Sequence, residues 1–357
     1  MAYQNPGTPR FYVSILQWLN SIGNINVSTD YLNVIDAVKL IDLNPSNYIQ
    51  FTFAEDSHVT YRLNKGLQLK EITYEKNGFG VILGHSFMTS NASMSVLGQN
   101  GGVFGNQNIT SSINYDMASN GIATISQDGW SLWTSDDIHD IESNANSIDY
   151  VKFKSYNSNL STRIGCVAIG NYYDMPHSPE LNITMTREMD GIKRTRTKGG
   201  ADIVHNQYRK PPSWSKMGAW ELGREPSEQY NPTTGEPTPQ PHKIGRRVWD
   251  LNFKQLQDVD ALGVNQSFST YYDINSNYSS DYITSNKFNI NVLTENSFFS
   301  QVMLKTRGGT LPFIFQPDNS NLNLDNFALA VIDQSSISFK QVANNVYDVK
   351  LKIKEIW

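Results

Sequence analysis

The stretch Val346-Tyr-Asp-Val-Lys-Leu-Lys-Ile-Lys-Glu-Ile356, close to the end of the chain, decides the fold class. Three apolar residues alternate in it with three lysines: Val349, Leu351 and Ile353 with Lys350, Lys352 and Lys354. Because side chains of a β-strand point to opposite faces in turn, this period of two separates an apolar face from a charged one. The stretch therefore predicts a strand with one buried and one solvated face.

The same alternation extends backwards through the second half of the chain. In Arg247–Phe253, Trp249, Leu251 and Phe253 share one face, and Leu181, Ile183 and Met185 share one face of Leu181–Arg187. The basic run Ile192–Lys198, the pair Gly199-Gly200 and the run Ile203–Tyr208 predict a β-hairpin. Further strands are predicted at Leu311–Gln316, Phe327–Ile332 and Ser336–Val342.

One helix is predicted in this half, over Glu295–Thr306. Phe298, Phe299, Val302 and Met303 fall on one helical stripe there, and Gly308-Gly309 supplies a stop signal. The second half is therefore expected to be a β-rich domain, a sandwich or barrel, with one packed helix.

Residues 9–175 consist of short apolar or alternating runs separated by turn residues, about one every 10 to 15 residues. Trp18-Leu19 fits either a strand or a short helix, and no 12-residue helical pattern lies between the runs. This organisation predicts an all-β sandwich. The runs are Phe11–Leu19, Asn33–Leu43, Tyr48–Phe53, Val59–Leu63, Leu67–Tyr74, Phe79–Leu83, Ile122–Ser126, Ser147–Phe153 and Arg163–Ile169.

Composition and charge change together near Met175-Pro176. Residues 1–175 hold 9 Lys/Arg and 15 Asp/Glu, whereas residues 176–357 hold 20 and 19. We therefore predict two domains, 1–175 and 176–357. Residues 210–245 carry seven prolines, a density that disfavours a helix or a central strand and predicts an extended, exposed arm with Trp214 and Trp220 as anchors.

Several function classes are disfavoured by composition. The 357-residue chain is 39% hydrophobic with a net charge of −5, which suits folded domains and argues against a general nucleic-acid binder. No apolar run is long enough to span a bilayer, and the first residues lack a signal-peptide pattern. The lone Cys166 is interpreted as a small core residue. The six histidines lack metal-ligand spacing, no GxSxG nucleophile elbow is present and no glycine run fits a phosphate-binding loop, so we expect no metal, no cofactor and no enzymatic activity.

Two groups of residues are candidates for binding. Trp130, Trp133 and Asp136 combine aromatic rings with a carboxylate and suit carbohydrate binding; alternatively, the two tryptophans fill the sandwich core. A glycosidase using Asp136 or Asp140 is a third, weaker hypothesis. Arg187–Lys216 holds eight Lys/Arg against three acids, which suits contact with an acidic neighbouring copy or, equally, a solvated hairpin. The subunit-interface candidates are Lys193, Arg194, Arg196, Trp214 and Trp220.

Two segments of the first half resemble the galactose-binding-like jelly rolls of bacteriophage virion proteins. Phe79-Gly-Val-Ile-Leu-Gly-His-Ser-Phe87 matches the strand that ends in LGHN or LGHS in those proteins, with Ser86 in place of the commoner Asn, and Arg163-Ile-Gly-Cys-Val-Ala-Ile-Gly170 matches the later returning strand. Tyr172–Pro179, Gly245–Leu251 and Gly308–Asp318 also look phage-like. In the second half, the order hairpin, strand, helix, strands is similar to the tail-tube and distal-tail β-fold.

This resemblance implies a jelly roll followed by a tail-tube-like domain in a structural protein of a phage tail or baseplate. It implies assembly into an oligomeric ring, a location in the virion after synthesis in the host cytoplasm, and partners that are copies of the chain and other virion proteins. Nucleic acid and membrane are not expected partners. The alternatives are a carbohydrate- or receptor-binding virion protein that contacts a host-surface glycan, and a capsid decoration protein.

Overall fold

The chain folds into antiparallel sheets with a few short helices, which confirms the prediction of a mainly-β protein. The computed structural model describes residues 6–29, 34–44, 47–51, 57–63, 72–85, 92–97, 125–127, 130–135, 147–155, 162–188, 192–206, 246–262, 292–322 and 326–356.

The strands and helices of this described part are short. The strands are β1 (Arg10–Ser14), β2 (Ile25–Thr29), β3 (Ile49–Phe51), β4 (Ser57–Leu63), β5 (Gly78–Leu83), β6 (Ala92–Leu97), β7 (Ile125–Gln127), β8 (Trp130–Ser135), β9 (Ser147–Ser155), β10 (Thr162–Ile164), β11 (Cys166–Asp174), β12 (Thr184–Glu188), β13 (Ile192–Arg196), β14 (Asp202–Asn206), β15 (Arg246–Gln257), β16 (Phe313–Gln316), β17 (Ala328–Ile332), β18 (Phe339–Ala343) and β19 (Val346–Glu355). The helices are α1 (Ile15–Ser21), α2 (Val34–Lys39), α3 (Asp258–Ala261), a 3-10 turn at Val292–Thr294 and a π-helix at Phe299–Leu304.

One eleven-stranded sheet contains strands from both halves of the chain. Its order is β12-β15-β19-β17-β16-β1-β11-β5-β8-β7, and β18 pairs with β19 beside this path. The strand β1 lies between β16 and β11, so that Phe11 is opposite Tyr173 on one side and Phe315 on the other. The predicted boundary at residue 175 thus falls within a continuous sheet, and the division into two domains stays a prediction.

Alternate residues of β1 enter two separate hydrophobic cores. Phe11 and Val13 belong to a core with Trp249, Phe298 and other residues of the second half. Tyr12 belongs to a core on the other face, with Phe79 and, from the second half, Phe327 among its members. Because both faces of β1 are covered by apolar side chains, this strand contributes to the packing of the whole molecule.

A second sheet of four strands, β2-β4-β9-β6, is formed by the first half. Tyr61 of β4 is fully buried, and its hydroxyl donates to the Ala37 carbonyl oxygen of α2 at 3.2 Å. Helix α2 therefore packs beside this sheet. The prediction of a strand in the run Asn33–Leu43 is wrong, because residues 34–39 of this run are helical.

Helices also replace parts of two other predicted segments. The run Phe11–Leu19 divides at Ser14, whose hydroxyl caps α1 by accepting from the Gln17 backbone N–H at 3.3 Å. The helix predicted over Glu295–Thr306 is present as a shorter π-helix, with Phe298 and Val302 buried in the core. It ends at Leu304, two residues before the predicted end and four before Gly308, and Gly308 and Gly309 in the turn that follows both have positive φ.

Strands of the second half follow the predicted alternation closely. Val349, Leu351 and Ile353 are at most 2% exposed, whereas Lys350 is exposed and Lys352 pairs with Asp333 at the surface. Cys166 is a free, buried cysteine, and burial raises the pKa of its thiol, in agreement with its interpretation as a core residue. The predicted arm 210–245 lies outside the described residues.

Candidate subunit interface

The predicted basic hairpin is present as a two-stranded sheet of its own. β13 and β14 pair from Ile192 opposite Asn206 to Arg196 opposite Asp202. The turn is closed by the Thr197 backbone N–H, which donates to the Ala201 carbonyl at 2.8 Å, and by the Thr197 hydroxyl, which accepts from the Ala201 N–H at 3.0 Å. Gly200 has a φ of +83°, a backbone conformation that glycine adopts without steric cost.

Both faces of this hairpin are open to solvent. Lys193 and its cross-strand partner His205 are exposed, and so are Arg194 and its partner Val204 on the next position. In the described part of the chain, β13 and β14 pair only with each other. An isolated two-stranded hairpin is marginally stable in water, so additional burial is expected to stabilise it.

The three basic residues predicted for an interface are thus placed together at the surface. Lys193, Arg194 and Arg196 are all exposed, with Lys198 in the adjoining turn. Arg196 pairs with Asp202 across the hairpin at 4.0 Å, and both side chains are more than 70% exposed. An ion pair so open to water contributes little, which leaves the positive charge of the hairpin available to another surface.

The strand that precedes the hairpin forms an edge of the large sheet. β12 pairs with β15 on one side, with Met185 opposite Trp249, and has no described strand on its other side. The sequence predicts one apolar face for Leu181, Ile183 and Met185. The structure packs Ile183 against the core but leaves Leu181 62% and Met185 54% exposed.

Ion pairs hold this edge firmly in the sheet. Glu188 of β12 contacts the ammonium of Lys354 at 2.6 Å. On β15, the buried Arg247 guanidinium donates to both carboxylate oxygens of Glu355, at 3.0 and 2.8 Å, and to the Phe327 carbonyl at 2.7 Å. Since both charged partners are nearly inaccessible, this pair fixes β15 against β19 beside the open edge.

The structure does not place the side chains of the other predicted site residues. Trp130 and Trp133 lie on β8, opposite Leu83 and Gly80 of β5, but their side chains are outside the description, as is Asp136. Trp214 and Trp220 also fall outside the described residues. Carbohydrate binding by the first three residues and an interface role for the last two stay predictions.

The sequence pattern did not indicate that two titratable side chains, those of Lys305 and His85, are buried. Lys305, at the end of the π-helix, is 1% exposed and donates to the Gln301 side-chain oxygen at 2.6 Å; burial lowers its pKa to about 7. Burial also lowers the pKa of His85 to about 3, so this histidine is neutral near physiological pH. Within the described ranges, no three His, Cys, Asp or Glu residues are grouped as a metal site.

Comparison with known proteins yields no relative. No family model, no curated protein and no solved structure matches the chain. Among the described helices, none has the length and apolar character needed to cross a bilayer.

Proposed function

We propose that this chain is a non-enzymatic structural subunit that assembles into an oligomeric ring, as a component of the tail or baseplate of a tailed phage. The observation that carries the assembly function is the β13–β14 hairpin, which has its own strand pairing and turn but exposes both faces. A formed hairpin that pairs with no other described strand and exposes both faces is best accounted for by burial against another subunit.

The chemistry of the exposed surface supports a subunit contact. The hairpin exposes Ile203 (44%) and Val204 (57%) beside its basic side chains, and the β12 edge of the large sheet exposes Leu181 and Met185. Apolar residues bordered by charges are the usual composition of a protein–protein contact. The phage location is supported by the sequence resemblance of the Phe79–Phe87 and Arg163–Gly170 segments.

The proposed function is tested on the full chain and on phage particles. Size-exclusion chromatography with light scattering and negative-stain electron microscopy are expected to show a defined oligomer, a multiple of the 40.3 kDa chain. Immunogold labelling of particles from a phage that encodes the chain is expected to mark the tail or baseplate. A monomer at every concentration, or a chain missing from the particles, would contradict the proposal.

A further inference from the structure

The hairpin and the edge strand are neighbours in sequence but do not pair with each other. Only residues 189–191 separate β12 from β13, a length that commonly joins two paired strands. β13 instead pairs with β14, and β12 pairs with β15. In the part of the chain that the structure describes, each copy therefore carries a hairpin with two exposed faces and, separately, a β12 edge that pairs with no other strand.

An open strand edge is a template for another strand. Such an edge presents backbone N–H and C=O groups that a partner strand can bind. β12 is five residues long, the same length as β13 and β14. The edge and either hairpin strand are thus matched in length for strand addition.

The exposed side chains of the two surfaces are also matched. Leu181 and Met185 are uncovered beside the edge, and Ile203 and Val204 are uncovered on the hairpin. Ile203 and Val204 point to opposite faces of the hairpin, so one of them joins Leu181 and Met185 on a shared face of the extended sheet, which removes apolar surface from water and favours association. Within a single copy, neither of these two surfaces covers the other, since all four side chains are exposed.

Charge favours a second copy of the chain as the partner of the basic hairpin. Residues 192–206 contain four Lys or Arg and one Asp, a net charge of +3, while the whole chain carries −5. The rest of each copy therefore has a net charge of −8. A positive hairpin is attracted to the negative body of another copy, and this attraction is screened by salt.

We propose that the β13–β14 hairpin of one copy adds to the open β12 edge of a second copy, a deepening that rests on the assembly function proposed above. The contact joins two different surfaces, so it is head-to-tail. Contacts of this type propagate from copy to copy and close into a ring when the rotation between copies permits it.

The test uses two variants that each disable one surface. Leu181→Lys/Met185→Lys adds positive charge beside the edge, where it repels the basic hairpin. Ile203→Lys/Val204→Lys removes the apolar contact from the hairpin and increases its charge. All four positions are at least 44% exposed, so both variants are expected to fold, which circular dichroism checks. Val342→Lys, at an exposed position of β18, is the matched control.

Light scattering distinguishes the outcomes. Each double variant alone is expected to be a monomer of 40.3 kDa, and an equal mixture of the two is expected to form dimers of twice that mass and no larger species. The dimer has one intact hairpin on one intact edge. The Val342→Lys control is expected to assemble as wild type does. Should either double variant fail to fold, serine at the same positions replaces lysine.

Two results would overturn the inference in different ways. If wild type assembles and either double variant does so equally well, or the mixture forms no dimer, the contact is elsewhere and only the hairpin-to-edge inference fails. If wild type is monomeric at all concentrations, the proposed assembly function fails with it.

Discussion

Arg10 forms a bidentate ion pair with Asp174, 164 residues further along the chain: Nε donates to Oδ1 at 2.6 Å and Nη2 donates to Oδ2 at 2.7 Å. The pair joins β1 to β11, where Arg10 and Asp174 are also opposite each other in the register. The Arg10 guanidinium lies 4.1 Å from the centre of the Tyr172 ring. These contacts fix the strand that supplies both cores.

Removing the Arg10–Asp174 ion pair is expected to lower the stability of the whole molecule. For Arg10→Met we expect the free energy of unfolding to fall by about 1–3 kcal/mol, because a part-buried, bidentate pair is lost and Asp174 keeps its charge. Urea denaturation measures the change. Lys39→Met, which breaks the exposed Lys39–Asp36 pair at 3.0 Å, is the control and should change stability by less than about 0.5 kcal/mol. Equal effects of the two substitutions would contradict this assignment.

The buried Lys305 makes stability depend on pH. Its pKa falls from 10.5 in the unfolded chain to about 7 in the fold, so the unfolded state binds more protons between these pH values. The contribution of Lys305 therefore becomes more favourable as pH rises from about 7 to 10.5 and is constant below about 7.

Lys305→Met removes this dependence. The variant is expected to gain stability relative to wild type, by an amount on the order of a few kcal/mol near neutral and acidic pH that shrinks toward pH 10. Parallel urea unfolding of both proteins across this pH range measures the difference. A difference that stays constant from neutral to alkaline pH would show that Lys305 is not buried as described. Lys340→Met, at an exposed position of β18, is the control.

The Arg247–Glu355 pair is expected to show strong coupling. Glu355→Leu leaves the Arg247 guanidinium buried without its carboxylate and should cost about 3–5 kcal/mol. Arg247→Leu/Glu355→Leu removes both charges and is expected to recover much of that loss. Thermal and urea unfolding of the single and double variants measure the coupling. If the stability loss of the double variant equals the sum of the losses of the two single variants, Arg247 and Glu355 are not energetically coupled.

Two adjacent glycines provide a test of packing at the end of the π-helix. Gly308 and Gly309 both have positive φ, at 73° and 85°. A Cβ at Gly308 would meet open space, whereas one at Gly309 would collide with the Ile332 side chain. We expect Gly308→Ala to cost about 1 kcal/mol through backbone strain alone and Gly309→Ala to cost clearly more. Similar melting temperatures for the two variants would contradict this packing.

Strands with one wet face were predictable from the sequence. Val349, Leu351 and Ile353 are buried as their alternation with lysine indicates, because the polar residues report the orientation of the strand. Strand β1 gives no such signal, since Phe11, Tyr12 and Val13 are all buried between two cores. Its central position depends on pairing with strands far away in the sequence, which a local pattern does not contain.

The basic hairpin was predictable from the sequence, whereas its role as an interface stays a prediction. The basic run and its Gly199-Gly200 turn indicated a hairpin with Lys193, Arg194 and Arg196 on it, and the structure places these side chains at the surface. The sequence does not indicate that Met185 is exposed, because Ile183 and Met185 are two residues apart, the spacing of residues on one buried face of a strand. Exposure there results from the position of β12 at the edge of the sheet, a property of the tertiary fold.

The most direct test of the central claim is sedimentation of the full chain beside a variant in which a short Gly-Ser turn replaces residues 192–206. Wild type is expected to sediment as a defined multiple of 40.3 kDa, and the variant as a folded monomer. If the variant forms the same assembly as wild type, or if wild type is itself a monomer, the claim that this hairpin joins subunits is wrong.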